Sequence, residues 1–127
     1  QEMATAICEK VPLTICILNN NYLGMVRQMQ QLFYGKRYEI TCLRRQIGCP
    51  DGCKGPNEAC PPYVPDFVKW AESYGQRVTS LEEAKAALAE AKERTDAPTV
   101  IEFMIATEEI VLPMVKSGNP MSEMILK

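Results

Sequence analysis

The chain contains no histidine. That absence removes Ser-His-Asp and Cys-His nucleophilic catalysis and His-ligated zinc chemistry, all of which need an imidazole titrating near neutral pH. Carboxylates, thiols or a bound cofactor are left to carry any reaction. No apolar run approaches the roughly 18 residues that span a bilayer, and the N-terminus has no charged segment leading into an apolar one as a secretory leader does. No membrane partner is therefore expected, and a cytoplasmic location is. Basic excess is also missing: the net charge is −2 and the pI about 5.2. A nucleic-acid partner is not indicated, and an acidic small substrate would need local rather than global attraction.

What remains is ordinary in bulk. A length of 127 residues, 46% hydrophobic and 24% charged, suits one globular domain with a modest core. The chain begins at Gln1 rather than Met, as a piece of a longer protein would. Six cysteines are more than packing needs, and four fall in one segment, Cys42, Cys49, Cys53 and Cys60.

Along the chain, Glu2 to Lys10 stacks Met3 with Ile7 and Ala4 with Cys8, a short helix that Pro12 ends. Leu13 to Leu18 is almost continuously apolar, the pattern of a parallel strand covered on both faces. A helix over about Tyr22 to Phe33 follows, with Met25, Val26, Met29, Leu32 and Phe33 on one side and Asn21 or Asn20 as its cap. Periodicity then disappears between Gly35 and Val64, with tight turns at Pro50-Asp51-Gly52 and Gly55-Pro56. Pro65 suits the first position of a helix whose stripe is Phe67, Trp70, Ala71 and Tyr74, stopped by Gly75. A very short strand, Arg77-Val78-Thr79, precedes a capping box, Ser80-Leu81-Glu82-Glu83, that opens an alanine-rich helix to about Arg94. Its stripe is Leu81, Ala84, Leu88 and Ala91. Thr99 to Ile105 reads as a second buried strand, interrupted only by Glu102, which either pairs with Arg77 or reaches a site. Strands alternating with helices give an α/β class with a parallel sheet flanked by helices. So few strands make a partial domain, whose remaining strands are expected upstream of Gln1 or in a partner domain.

Two features carry chemistry. In Ile15-Cys16-Ile17-Leu18-Asn19-Asn20-Asn21-Tyr22-Leu23-Gly24-Met25 a strand enters a helix through a polar turn. Such a turn aims backbone N–H groups at a phosphate, and a carboxamide or carbonyl oxygen there suits Mg²⁺; the plainer alternative is helix capping alone. The second is Cys42-x6-Cys49-x3-Cys53-x6-Cys60. Four thiols with turns between them suit a closed Zn²⁺ or iron–sulfur site, and disulfides or free loop thiols are the alternatives. Cys8 and Cys16 fall on apolar faces as small core residues, while Tyr34, Arg37 and Tyr38 either touch substrate or anchor their loop.

Gln1-Glu2-Met3-Ala4-Thr5, Ile17 through Gln28, Leu32-Phe33-Tyr34, Arg37-Tyr38, Pro65-Asp66-Phe67-Val68-Lys69, Ala71-Glu72-Ser73-Tyr74-Gly75 and Val111-Leu112-Pro113-Met114-Val115 occur in one order. Together they resemble the C-terminal thiamine-diphosphate domain of acetohydroxyacid synthase (acetolactate synthase) catalytic subunits. The resemblance covers nearly everything except a Cys-rich insert at about residues 41–62; a C-terminal arm spans about residues 107–127.

It implies a thiamine-diphosphate-binding fold, and a cofactor held with Mg²⁺ by a Gly-Asp-Gly element followed by paired asparagines. On this pattern the Asn20 side chain and the Tyr22 carbonyl ligate Mg²⁺, the Leu23 and Gly24 N–H groups face the diphosphate, and Met25 lies near the reactive end. The Gly-Asp-Gly element would precede Gln1, and the activating glutamate belongs to another domain, so no catalytic residue is expected here and the fragment alone should be inactive. Met29 stands where the family carries a tryptophan that sets acceptor preference, and the Gly75-Gln76-Arg77-Val78 link is shorter than usual. The implied enzyme decarboxylates pyruvate and condenses the two-carbon unit with a second 2-keto acid, in branched-chain amino acid biosynthesis. It also implies a homo-oligomer, FAD in a middle domain outside these residues, and a regulatory small subunit. The rivals are another thiamine-diphosphate carboligase or decarboxylase, and a non-catalytic Cys-cluster metal-binding module.

Overall fold

The computed structural model describes residues 2–45, 47–50, 53, 57–60, 66–71 and 75–127. The expectations for Gln1, for the helical positions of Pro65 and Tyr74, and for the turns at Asp51-Gly52 and Gly55-Pro56 lie outside the described residues. In chain order the elements are α1 (Glu2–Cys8), β1 (Thr14–Asn19), α2 (Gly24–Phe33), α3 (Phe67–Ala71), β2 (Gly75–Val78), α4 (Leu81–Glu93) and β3 (Thr99–Met104), with a 3-10 turn at Met121–Glu123. Internal packing divides them between two units, Gln1–Asn20 with Pro65–Ile105, and Asn21–Val64 with Ala106–Lys127.

The first unit holds the sheet, in the order β1-β3-β2. Both pairings are parallel, with Ile17 and Arg77 each in register with Glu102. This is the α/β, parallel-sheet architecture that alternating strands and helices require. The four residues Gly75–Val78 pair fully with β3, so the short link before α4 still makes a strand.

β3 is the central strand, and Thr99, Val100, Ile101 and Glu102 are all buried. β1 departs from the expectation of a strand covered on both faces. It lies at the sheet edge and alternates, so Cys16 is exposed and Leu18 is 68% exposed while Asn19 is buried. The helices of this unit that pack on the sheet, α3 and α4, lie on β2 and β3. Cys8 and Cys16, expected in a core, are both exposed.

α4 begins as its capping box dictates. The Ser80 side chain accepts from the Glu83 N–H at 3.2 Å, and the Glu83 carboxylate accepts from the Ser80 and Thr79 N–H groups and the Thr79 hydroxyl. Of the expected stripe Leu81, Ala84, Leu88 and Ala91, the two alanines face the core and the two leucines do not. Ala87 and Ala91 are buried and Ala84 packs beside them, against Val78, Ile101 and Phe103, whereas Leu81 and Leu88 are exposed. Alanines let a helix axis approach a sheet closely, and bulkier side chains on the neighbouring positions are turned outward. In α3 the buried residue is Ala71 and Trp70 is exposed; Asp66 precedes the helix and its Oδ1 accepts from the Lys69 N–H at 3.1 Å.

The bonds from Thr79, its N–H first, hold the Glu83 carboxyl below its ordinary pKa of 4.5. A carboxyl depressed in the folded state adds stability that is complete above its unfolded pKa and is lost as pH falls through the folded value. Thermal melts between pH 7 and 3 are therefore expected to lose stability below about pH 4.5, and Glu83→Gln to flatten that slope. Parallel slopes for the two proteins would remove this assignment.

The second unit is built around α2. Its buried residues are Arg27 and Gln28, while Met25 and Val26 of the expected apolar stripe are about half exposed. Burial of the Gln28 amide is compensated by hydrogen bonds. The Gln28 amide pairs with the Val111 backbone in both directions, at 2.9 and 2.8 Å, as an added strand residue would. The arm then turns back on itself through a Met114 to Ile125 pairing.

Candidate functional site

At the end of β1 the Asn19 side chain does not face outward. Its Nδ2 donates to Glu102 Oε1 at 2.5 Å, and Glu102 Oε2 accepts from Arg77 Nε at 2.7 Å. Arg77 continues through Nη2 to Asp66 Oδ1 at 2.8 Å. Glu102 is 1% exposed, so this carboxylate is desolvated and doubly bonded, as a buried charge must be. Of the two readings for Glu102, pairing with Arg77 is the one found, with Asn19 as a further partner. The Glu102 hydrogen bond, the first cause, holds the Arg77 guanidinium above its ordinary pKa. The Lys69 N–H, followed by the Arg77 charge, holds Asp66 below its own. Asn20, the next residue after this anchored strand end, is half-buried.

In the second unit Asn21 takes a left-handed conformation, φ 63°, and Tyr22 forms an antiparallel bridge with Cys42. The bonds of that bridge come from its neighbours: Leu43 N–H donates to the Asn21 carbonyl at 3.0 Å and Leu23 N–H to the Thr41 carbonyl at 2.8 Å. In such a pair the central residue's own N–H and C=O point to the other edge, which turns the Tyr22 carbonyl away from the 41–43 segment. The Leu23 amide, expected to face a diphosphate, is engaged by Thr41 instead. Residues 21–23 are also not helical, so the expected start near Tyr22 moves to Gly24, and Leu23 is the N-cap without a side-chain cap bond. The N-cap position thus falls at Leu23 and not at Asn20 or Asn21, because the left-handed turn and the bridge fix the chain before the helix begins. The first amides of α2, those of Gly24, Met25 and Val26, have no acceptor within the helix. They carry the positive end of its dipole, an arrangement suited to phosphate oxygens.

Met29 lies half-buried on α2. Tyr38 anchors its loop by stacking on Arg27, with the guanidinium carbon 4.2 Å from the ring centroid, and Tyr22 lies on that guanidinium at 4.8 Å. Arg37 Nε donates to the Tyr34 carbonyl at 3.3 Å, and Tyr34 is exposed. Burial, the largest influence, raises the Tyr22 pKa above its ordinary 10.

Sequence reasoning did not find Arg27, Gln28 or Thr41, each under 5% exposed. Thr41 supplies the acceptor for Leu23, and its hydroxyl lies 3.3 Å from Gln30 Oε1. Arg27 and Gln28 interrupt an apolar pattern without breaking the helix, and that interruption was the available signal. Cys42, Cys49, Cys53 and Cys60 are all half-buried and line one small cavity. Among the described residues no three Cys, His, Asp or Glu side chains converge to hold a metal ion as they stand.

Residues 1–103 match the family described as thiamine pyrophosphate enzyme, C-terminal TPP binding domain. The acetolactate synthase large subunit of Corynebacterium glutamicum is 40% identical over 97% of this chain, and the acetolactate synthase of Mycobacterium bovis 35% over 97%. The acetolactate synthase isozyme 2 large subunit of Escherichia coli is 34% identical over 100%. The chain spans 18%, 18% and 20% of the length of these relatives. With the parallel sheet, the strand-to-helix turn and a match over residues 1–103 in agreement, the chain belongs to the C-terminal TPP-binding domain family of thiamine pyrophosphate enzymes.

Proposed function

We propose that this chain is the thiamine-diphosphate-anchoring part of an acetolactate synthase that decarboxylates pyruvate and joins the two-carbon unit to a second 2-keto acid, in branched-chain amino acid biosynthesis. The carbanion chemistry belongs to thiamine diphosphate when bound. This chain's residues bind and orient its diphosphate. The observation that carries the reading is the start of α2, where the Gly24 and Met25 amides open a ten-residue helix beside a Tyr22 carbonyl turned away from its bridge partner. Amides and a carbonyl oxygen are the donor and acceptor types that a diphosphate and a hard cation require.

Asn20 and Tyr22 are the proposed Mg²⁺ ligands, with Gly24 and Met25 as diphosphate contacts. Leu23 precedes them as the N-cap, its own amide donating to the Thr41 carbonyl. Met29 is the proposed contact to the acceptor keto acid. Its thioether fills a site differently from an indole, so acceptor preference follows from that position. FAD in another domain, a homo-oligomeric assembly, a small regulatory subunit and a cytoplasmic location complete the proposal. The large-subunit names of several relatives support the regulatory partner.

In the full-length polypeptide, Asn20→Ala is expected to weaken thiamine-diphosphate binding about 10- to 100-fold at fixed Mg²⁺, with recovery at higher Mg²⁺. Binding is read by calorimetry and turnover by acetolactate formed from pyruvate. Unaltered cofactor affinity would remove Asn20 from the site. Failure to form acetolactate from pyruvate with cofactor bound would shift the enzyme to another carboligase or decarboxylase.

A further inference from the structure

The insert at residues 41–60 is not absorbed by the cofactor reading. We propose that Cys42, Cys49, Cys53 and Cys60 bind one thiophilic divalent cation of the zinc type, as a structural site that ties this segment together. The four sulfurs belong to residues lining a single cavity of about 20 Å³ for the centre of a water-sized guest. That volume is enough for one water or one ion. A larger recess of about 360 Å³, lined by Cys49, Cys53 and Cys60 among others, adjoins the same thiols and provides an entry path.

Tyr22, Tyr38 and Ile40 give the same cavity an apolar side, and Arg44 and Arg45 also line it. A divalent ion held by four thiolates carries a net charge of −2, and two guanidinium groups offset it. Cys60 is held by its neighbours: the Asn57 N–H donates to its sulfur at 3.3 Å, its thiol faces Asn57 Oδ1 at 3.6 Å, and Arg44 Nη2 donates to its carbonyl at 2.8 Å. Hydrogen bonds to ligand sulfurs are the outer layer that orients such sites.

Spacing agrees with one closed site. The intervals of six, three and six residues place two outer ligands symmetrically about a tight central pair, and three lies within the two to four residues usual for a zinc-binding pair. The sulfurs line the cavity without converging, so binding would draw them inward by side-chain rotation. The consequence is mechanical. Cys42 pairs with Tyr22, and its neighbours Thr41 and Leu43 bond the Leu23 amide and the Asn21 carbonyl. A cation joining Cys42 to Cys49, Cys53 and Cys60 would fasten the whole segment to the residues preceding α2. The proposal is independent of the cofactor reading, because its readout is metal content.

The test uses the full-length polypeptide purified under reducing conditions from zinc-supplemented cells. Elemental analysis is expected to find about one zinc per chain, to fall below roughly a tenth in Cys49→Ser/Cys53→Ser, and to stay unchanged in Cys8→Ser/Cys16→Ser. The wild-type protein, stripped by chelation and titrated with Co²⁺, guards against a variant that fails to fold. It should develop the intense visible bands of tetrahedral thiolate cobalt, abolished by one equivalent of zinc. Less than a tenth of an equivalent of zinc with no cobalt spectrum would overturn the proposal. So would two disulfides in place of the four thiols under mass spectrometry, or metal lost equally from the Cys8/Cys16 variant.

Discussion

Arg27→Ala is expected to cost the second unit roughly 2–4 kcal/mol, and Arg27→Met much less. Arg27 is 4% exposed and lies between the rings of Tyr22 and Tyr38. Its Nη2 donates to Glu108 Oε1 at 2.6 Å and its Nη1 to Oε2 at 3.3 Å. Desolvation works against the charge, but the Glu108 hydrogen bond and charge, with the two tyrosines, outweigh it and hold the guanidinium above its ordinary pKa.

The magnitude rests on packing more than on the ion pair. Glu108 is 67% exposed and regains water when its partner is removed, so the pair itself contributes about 1 kcal/mol or less. The Arg27 Nε is buried with no hydrogen-bond partner among the described residues, an uncompensated cost already present in the native protein. Methionine keeps the volume, contacts both rings through its sulfur and removes that orphan donor. Lysine keeps the charge but can neither stack as a plane nor bond bidentately. The expected order of destabilisation in urea unfolding is therefore Met, then Lys, then Ala. Lysine milder than methionine would show that charge, rather than the stacked plane, is what the site requires.

Glu102→Ala is expected to destabilise the sheet unit by roughly 2–4 kcal/mol, and Glu102→Gln by about 1–3. Glutamine keeps the shape but turns an NH₂ group toward one of two donors, Asn19 Nδ2 or Arg77 Nε, and cannot satisfy both. Arg77 is 41% exposed and rehydrates, so most of the loss comes from the bond to Asn19, which is 5% exposed. A double-mutant cycle of Glu102→Ala with Asn19→Ala should give a coupling of about 0.5–3 kcal/mol. Additive effects would mean that the 2.5 Å contact contributes nothing to holding the strand end. The cycle thus measures how firmly β1 is anchored at the residue before Asn20.

Local chemistry explains what was legible. α4 was readable because Ser80 and Glu83 cap it within four residues of sequence, and β3 because an apolar run with one charge suits a buried central strand. The Asn19 to Met25 turn was readable as a strand end, and resemblance supplied its use. Where the elements end was less readable. The start of α2 shifts to Gly24 because Tyr22 pairs with Cys42, twenty positions away in the chain.

The sequence by itself determined the parallel α/β class and the order of its elements, which follow from periodicity, the clustering of four thiols in one segment, which follows from spacing, and the family, which follows from resemblance over several ordered motifs. Tertiary structure alone decided which side chains are buried and what their polar groups meet. The Asn19 to Glu102 bond joins residues 83 positions apart, the Arg27 to Glu108 pair joins residues 81 apart, and the Leu23 amide finds Thr41 through a bridge. Hydrophobic periodicity reports the face that an element offers, not the partner that covers it. At the edge strand β1 and along α2 that partner is set by long-range hydrogen bonds, which no local pattern encodes.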